Sequence, residues 1–327
     1  MDGIAIVGLG RVSAMHLAGA AAHPGEVRVV AGCDPLAERR EWARSTHGVP
    51  ATVGSVEELL DVDGWRTAIV CTPTHLREEV VRTLAAAGRD VLVEKPLADT
   101  LAEAVDLVGI CAKAGVTLAV NQNFRHFYPF GAARDAIAAG RIGAVRGVLH
   151  RDLSFREEQG WRNTAARHAL SVMGVHWLDG FRYLLGREAD EVVARVWSSP
   201  AVEAVGDTDA HAQIVFGETT VSYAQSFTSR HKAADTVIVG ERGTIALDYA
   251  GALLSTADGD TPLPHPYAKD KPAAAYRSLR DLLDAGDREP PHSGVDNLHT
   301  VALLEAVYAS AATGRPTAPQ QPKETPA

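Results

Sequence analysis

Short apolar runs alternate with helical segments through the first 120 residues, and this alternation constrains the fold more than any other feature. The runs cover residues 4–7, 27–33, 68–71, 90–93 and 117–120. Runs with little polar alternation read as strands covered on both faces. Between them, residues 13–23, 36–47, 78–87 and 101–114 carry helical composition. Gly48, Gly88 and Gly115 stop three of these helices, and Thr100 with Glu103 forms a capping box at the start of the last. Strands joined by helices of this length must cross over to lie parallel. The pattern therefore predicts a doubly wound parallel α/β sheet over residues 1–123.

The pattern changes after Asn123. A strand is expected near 148–153 and a helix over 170–185, closed by Gly186. Strand-like runs then follow without intervening helices, at 192–197, 212–216, 220–227, 236–239 and 244–247. Gly217 and Gly240 to Gly243 separate neighbouring runs as hairpin loops would. Along 221–227 the larger Val221, Tyr223, Gln225 and Phe227 alternate with small residues, which predicts a sheet with two unlike faces. Residues 258–272 read as a surface loop rich in Pro, Asp and Lys. Amphipathic helices are expected at 276–285 and 295–312. The expected organisation is a parallel α/β domain over 1–123, an α+β domain with an open, mostly antiparallel sheet over 124–313, and a flexible tail over 314–327.

Composition narrows the function classes. A length of 327 residues with 46% hydrophobic and 22% charged residues describes a globular chain of about two domains. Its net charge of −9 argues against a nucleic-acid partner, which would require a basic face. No apolar run approaches a membrane span, and the first residues lack the basic start of a signal peptide. Cys33, Cys71 and Cys111 are too few and scattered for a disulfide framework or a metal site, so no metal is expected and the chain reads as cytoplasmic.

The segment Gly8-Leu9-Gly10-Arg11-Val12-Ser13 lies directly between the first strand and the first helix. Gly8 permits the tight turn, and Gly10 lets backbone approach a pyrophosphate at the helix N-terminus, where Arg11 and Val12 sit. Ser13 replaces the third glycine and is small enough to pack helix on strand. Asp34 closes the second strand 24 residues beyond Gly10, near the spacing at which a carboxylate takes ribose hydroxyls. A carboxylate there favours NAD over NADP, whose 2′-phosphate it would repel. Arg39 and Arg40 are assigned to the solvated face of the second helix.

Four motifs in order then carry a resemblance: Gly8-x-Gly10 with His16 downstream, Cys71-Thr72-Pro73-Thr74-His75, Val93-Glu94-Lys95-Pro96-Leu97, and Asn121-Gln122-Asn123-Phe124-Arg125. With the helix Gly174-Val175-His176-Trp177-Leu178-Asp179 and the segment 306–316, the chain resembles the Gfo/Idh/MocA family of NAD(P)-dependent oxidoreductases along nearly its whole length. The resemblance implies a Rossmann domain, a small-molecule substrate of the sugar or inositol kind, and a homodimer or homotetramer built through the C-terminal sheet. It maps Lys95 and His176 to catalytic positions. It maps Thr72, Pro73, His75, Glu94, Lys95, Asn123 and Arg125 to the cofactor's surroundings.

Oxidising an alcohol needs a hydride acceptor and a proton acceptor together. Lys95 follows a strand end, where ligands sit in open α/β sheets. It is one of only six lysines, and it sits between an acid and a proline after a buried strand. On helix geometry alone, His176 divides evenly between a core histidine and a site residue; the resemblance tips it to the site. Asp179 lies one turn on and is assigned to orienting His176, to substrate, or to a helix-face salt bridge or cap. The family's acidic residue four positions before this histidine is Val172 here. That departure leaves three options open: Lys95 and His176 suffice, His168 substitutes, or the chemistry is not simple dehydrogenation. In the last case NAD stays tightly bound for transient oxidation during elimination, hydrolysis or epimerisation, or the protein binds NAD(H) without redox turnover. Trp161, Arg162 and His168 are the remaining candidates for substrate contact, against a solvated loop or a core aromatic.

Overall fold

The computed structural model describes residues 1–157, 160–286 and 288–322, with backbone alone at positions 161 and 162. The chain divides into two compact units. The first comprises residues 1–123 and 270–298, and the second residues 124–269 and 299–321.

In the first unit, β1 (Asp2–Val7), β2 (Val27–Cys33), β3 (Ala51–Val53), β4 (Thr67–Val70), β5 (Asp90–Val93) and β6 (Leu118–Val120) form one sheet in the order β3-β2-β1-β4-β5-β6. Every pairing is parallel. The connections are α1 (Ser13–Ala21), α2 (Ala37–His47), α3 (Val56–Leu60), α4 (Arg77–Ala86) and α5 (Leu101–Ala114). Thr100 and Glu103 make the expected capping box, and Gly48 and Gly115 end their helices in the left-handed conformation. β3 and α3 were absent from the sequence reading, because three and five residues are too few to show a period. Strand order reverses between β1 and β4, which opens a crevice at the C-terminal strand ends.

The second unit carries β7 (Val145–Phe155), β8 (Glu191–Trp197), β9 (Asp209–Phe216), β10 (Thr219–Ser226), β11 (Thr228–Gly240), β12 (Gly243–Asp248), β13 (Gly251–Thr256) and β14 (Gly259–Leu263). Their order is β14-β13-β12-β11-β7-β10-β9-β8, and β7 with β10 is the one parallel pairing. Helices α6 (Phe124–Phe127), α7 (Phe130–Ala138), α8 (Trp161–Thr164) and α9 (Val175–Leu185) precede or interrupt the strands. The period-two pattern of β10 appears as burial: Val221, Tyr223 and Gln225 face inward, Ser222, Ala224 and Ser226 are half-buried, and Thr220 is exposed. On the other face, the register aligns Leu253, Ala246, Val237, Leu149, Ser222, Gln213 and Val193 in one row across seven strands. Leu149, Val193 and Leu253 in this row are exposed.

Four expectations need correction. The surface loop at 258–272 contains β14, whose pairing with β13 overrides its polar composition. The helix expected at 170–185 begins as a π-turn over Leu170–Gly174 before α9. The tail from Gly314 is tied down where Thr317 and Val192 exchange two backbone bonds of 2.9 Å. Residues 270–298 belong with the first unit, not with the substrate domain. There α10 (Lys271–Ala285) inserts Tyr276, Leu279 and Leu282 among Ile4, Ile6, Leu17 and Val27 of the first core. Each such side chain contributes about 1.5–3 kcal/mol, and no local sequence signal says which core receives it. The last helix, α11, spans Gly294–Thr313.

Candidate active site

The glycine loop needs its glycines for two different reasons. Gly8 has φ +89°, and a Cβ there would sit 3.0 Å from the Cys71 carbonyl carbon, so the protein itself demands glycine. At Gly10 an added Cβ would meet nothing nearer than Arg39 Nη1 at 3.9 Å. Space, not packing, is preserved at that point, as backbone approach by a diphosphate requires. Ser13 is fully buried and donates to the Gly10 carbonyl at 2.7 Å, closing the loop onto α1. Arg11 is exposed and Val12 half-buried at the N-cap of α1.

Asp34 is buried at the end of β2, and its two oxygens accept the N–H groups of Leu9 and Leu36, each at 2.9 Å. Oδ1, which accepts from Leu36 alone among these groups, keeps a further lone pair that a ribose hydroxyl can use. Arg39 is exposed on α2, as expected, whereas Arg40 is half-buried. Arg39 Nη1 is 3.4 Å from Asp34 Oδ2, and Arg40 Nη1 donates to the carbonyls of Asp34 and Pro35 at 2.8 and 2.9 Å. Both close the strand end against the helix.

The strand ends of β4, β5 and β6 gather the polar groups. Glu94 is buried, and its Oε1 lies 2.7 Å from His16 Nε2 and accepts from Asn121 Nδ2 at 2.7 Å. Burial pushes its carboxyl up, but the bonds from His16 and Asn121 and the nearby charge of Lys95 outweigh that and hold it below the usual value. A carboxyl that titrates lower when folded adds stability above its unfolded pKa, and that stability is lost as pH falls through the folded pKa. Glu94→Gln is therefore expected to flatten the acid limb of stability against pH. Urea midpoints across the carboxylate range would show this, and an unchanged limb would mean Glu94 is not held as an anion.

Lys95 is half-buried directly after β5, next to a cis peptide bond to Pro96. Thr72 and Pro73 follow β4 and are half-buried, whereas His75 is exposed in a short turn. Asn123 is buried with its amide 3.5 Å from Met15 Sδ. Thr72 Oγ1 and Asn121 Oδ1 are buried without a hydrogen-bond partner among the described residues. Buried polar atoms rarely stay unsatisfied. Together with the space at Gly10 and the Asp34 carboxylate, they fit a bound dinucleotide.

In the second unit, α9 carries His176, which is buried and stacked on Phe124 at 4.0 Å and 13°. The π-turn before α9 adds a residue to the turn, which moves the face one turn back from Val172 toward Ser171. Sequence spacing assumed an unbroken α-helix and missed this. Asp207 sets the turn's start: its two oxygens accept the N–H groups of His168 and Leu170, and it also accepts the Tyr308 hydroxyl at 2.7 Å. No sequence signal pointed to Asp207. His168 itself is fully buried, its ring 5.5 Å from that of Phe227, so it belongs to the interior of this unit and not to a solvent-facing loop.

Asp179 and Arg125 are brought to each other. Arg125 Nε and Nη2 each donate to Asp179 at 2.7 Å, and both side chains are buried. Thr300 also donates to Asp179 at 2.9 Å and accepts from Arg182 at 2.7 Å. Asp179 is thereby engaged by Arg125, Thr300 and Arg182, the last 3.6 Å away one turn along α9, which is the helix-face salt bridge its spacing allowed. Trp161 and Arg162 have side chains outside the described residues. No group of metal-ligating residues occurs among the described residues.

Residues 3–122 match a model of the oxidoreductase family with NAD-binding Rossmann fold, and residues 130–246 match the Gfo/Idh/MocA C-terminal domain. A D-apiose dehydrogenase of Paraburkholderia graminis is 30% identical over 336 residues, covering 95% of this chain and 88% of that protein. A 1,5-anhydro-D-fructose reductase of Ensifer adhaerens is 29% identical over 303 residues, covering 88% and 90%. Among solved structures, levoglucosan dehydrogenase in complex with NADH and levoglucosan superposes with a TM-score of 0.88 at 20% identity, covering 98% of this chain and 100% of that one. An oxidoreductase from Agrobacterium radiobacter with NAD+, L-tartaric acid and magnesium gives 0.88 at 23%, covering 97% and 98%; at such identities the likeness shows the fold. With both units matched and a 30%-identical relative aligned along nearly its full length, the chain belongs to the Gfo/Idh/MocA family of NAD-binding oxidoreductases.

Proposed function

We propose that this protein transfers a hydride between NAD and a hydroxyl or keto carbon of a sugar, inositol or related cyclic polyol. The observation that carries the reading is the buried His16–Glu94–Asn121 group, which holds an anion beside Lys95 at the end of β5. The first unit's residues take the cofactor. Gly8 and Gly10, with Arg11 and Val12 at the start of α1, receive the diphosphate. Asp34 receives the adenosine ribose, and Thr72, Pro73, Glu94 and Asn123 surround the nicotinamide and its ribose. Bound NAD supplies the hydride acceptor. Lys95 takes the hydroxyl proton during oxidation and returns it during reduction, and Glu94 fixes the charge that the amine works against. His176, held by its stack on Phe124, hydrogen-bonds the substrate.

A second reading has its own observation. Val172 cannot relay a proton, and Asp179 is engaged by Arg125. A substrate oxidised transiently and re-reduced on tightly held NAD needs no net proton release. One experiment separates the readings. Purified protein is offered NAD and a panel of inositols, aldoses and anhydro sugars, and NADH absorbance and substrate loss are followed together. NADH growing with substrate loss is expected. Substrate conversion without NADH favours the second reading, and NAD binding with no conversion of any kind removes both.

We place the protein in a reducing compartment, the cytoplasm, on the strength of three free thiols. No helix among the described residues is long and apolar enough to cross a membrane. The row Leu253–Val193 across the open sheet, with exposed Leu149 at its middle, suits burial against a second copy in a homodimer or homotetramer.

A further inference from the structure

Arg77, the first residue of α4, is buried to 2% exposure, yet its guanidinium faces backbone rather than a carboxylate. Nη1 donates to the Pro96 carbonyl and to the Leu97 carbonyl at 3.0 Å, and Nη2 donates to the Thr72 carbonyl at 3.2 Å. These acceptors lie on two separate loops. One follows β4 and carries Thr72-Pro73; the other follows β5 and carries Lys95. Burying a cation against neutral acceptors is costly, and an apolar side chain would fill the same volume more favourably.

We propose that Arg77 is a positioning residue for Lys95: it clamps the two loops into one piece and places a fixed positive charge against the carbonyls of Pro96 and Leu97, the two residues after Lys95. This rests on the reading of Lys95 as the proton-transfer group. A like charge held nearby disfavours the ammonium form, so the amine gives up its proton at lower pH. Glu94, bonded to His16 and Asn121, pulls the other way. Cys71 and Asp99 complete the titratable surroundings of the Arg77 charge. Burial draws the guanidinium itself down to about 10, and Glu94 and Asp99 oppose that, so it stays charged wherever the enzyme works.

The experiment reads the amine directly. Lysines of the full chain are dimethylated with isotope-labelled methyl groups, Lys95 is assigned by its absence in Lys95→Arg, and its NMR titration is followed without substrate. In the unmutated chain the midpoint is expected below the ordinary lysine value of about 10.4, and a midpoint at or above that value overturns the proposal even if every Arg77 variant fails to fold. Arg77→Gln, which keeps donors but no charge, should raise the midpoint by about one pH unit. Arg77→Lys, which keeps the charge, should restore it while losing thermal stability with the clamp. A merely structural arginine would lower stability in both variants and leave the midpoint where it was. Because no substrate is involved, the link is tested apart from catalysis. A shifted midpoint alongside an active Lys95→Ala enzyme sinks the catalytic reading alone, and an unshifted midpoint alongside an inactive one sinks the role of Arg77.

Discussion

Lys95→Ala is expected to cut turnover by about a hundredfold to ten-thousandfold, the usual worth of a placed acid–base group, while NAD affinity changes little. The amine is half-buried at a strand end and borders a carboxylate that is itself held as an anion. Alanine removes the amine proposed as proton acceptor and leaves the glycine loop and Asp34 in place. Lys95→Arg should fail as well, because guanidinium does not release its proton near neutrality. Calorimetric NAD titration and steady-state rates on the same preparations check both halves. An alanine variant that turns over at more than about a tenth of the original rate would take Lys95 out of the chemistry.

Breaking the Arg125–Asp179 pair should have the largest effect on stability. Both side chains are buried, and the two 2.7 Å bonds use the guanidinium fork in its ideal bidentate form. Asp179→Ala leaves the Arg125 charge without its bidentate partner in a low-dielectric interior, and the expected cost is about 3–5 kcal/mol. Arg125→Ala should cost about as much by the converse argument. Replacing both with apolar residues of similar volume should recover much of the loss, since no charge is then stranded. Urea denaturation of the two single variants and the double variant measures all three. A single-variant loss below about 1 kcal/mol, the scale of an exposed pair, would show that solvent reaches these groups.

The sequence showed the first unit clearly because its signals are local. A strand buried on both faces is apolar throughout, a capping box spans four residues, and the diphosphate loop is one turn between a strand and a helix. Five of the six parallel strands and the position of Asp34 follow from those signals, whereas β3 and the strand order come from the structure. The site of the second unit was less legible. Val172 was counted as four residues before His176 on one face, but the π-turn shifts that face. Asp179 was placed by helix spacing alone, while its partner Arg125 comes from a segment 54 residues earlier.

The same division holds for the whole molecule. What the amino-acid order determined by itself is whatever a few neighbouring residues settle among themselves: strand and helix alternation, helix stops, the glycine turn and the motif that carries Lys95. The tertiary structure alone decided which buried charges meet. Arg77 and the Lys95 loop, His16 and Glu94, Arg125 and Asp179, and Asp207 and the start of the π-turn are each separated by many residues. A buried charge must find its counterpart or a set of carbonyls because the low-dielectric interior penalises leaving it alone. Which counterpart lies within reach depends on the packing of distant elements, and local sequence does not contain it.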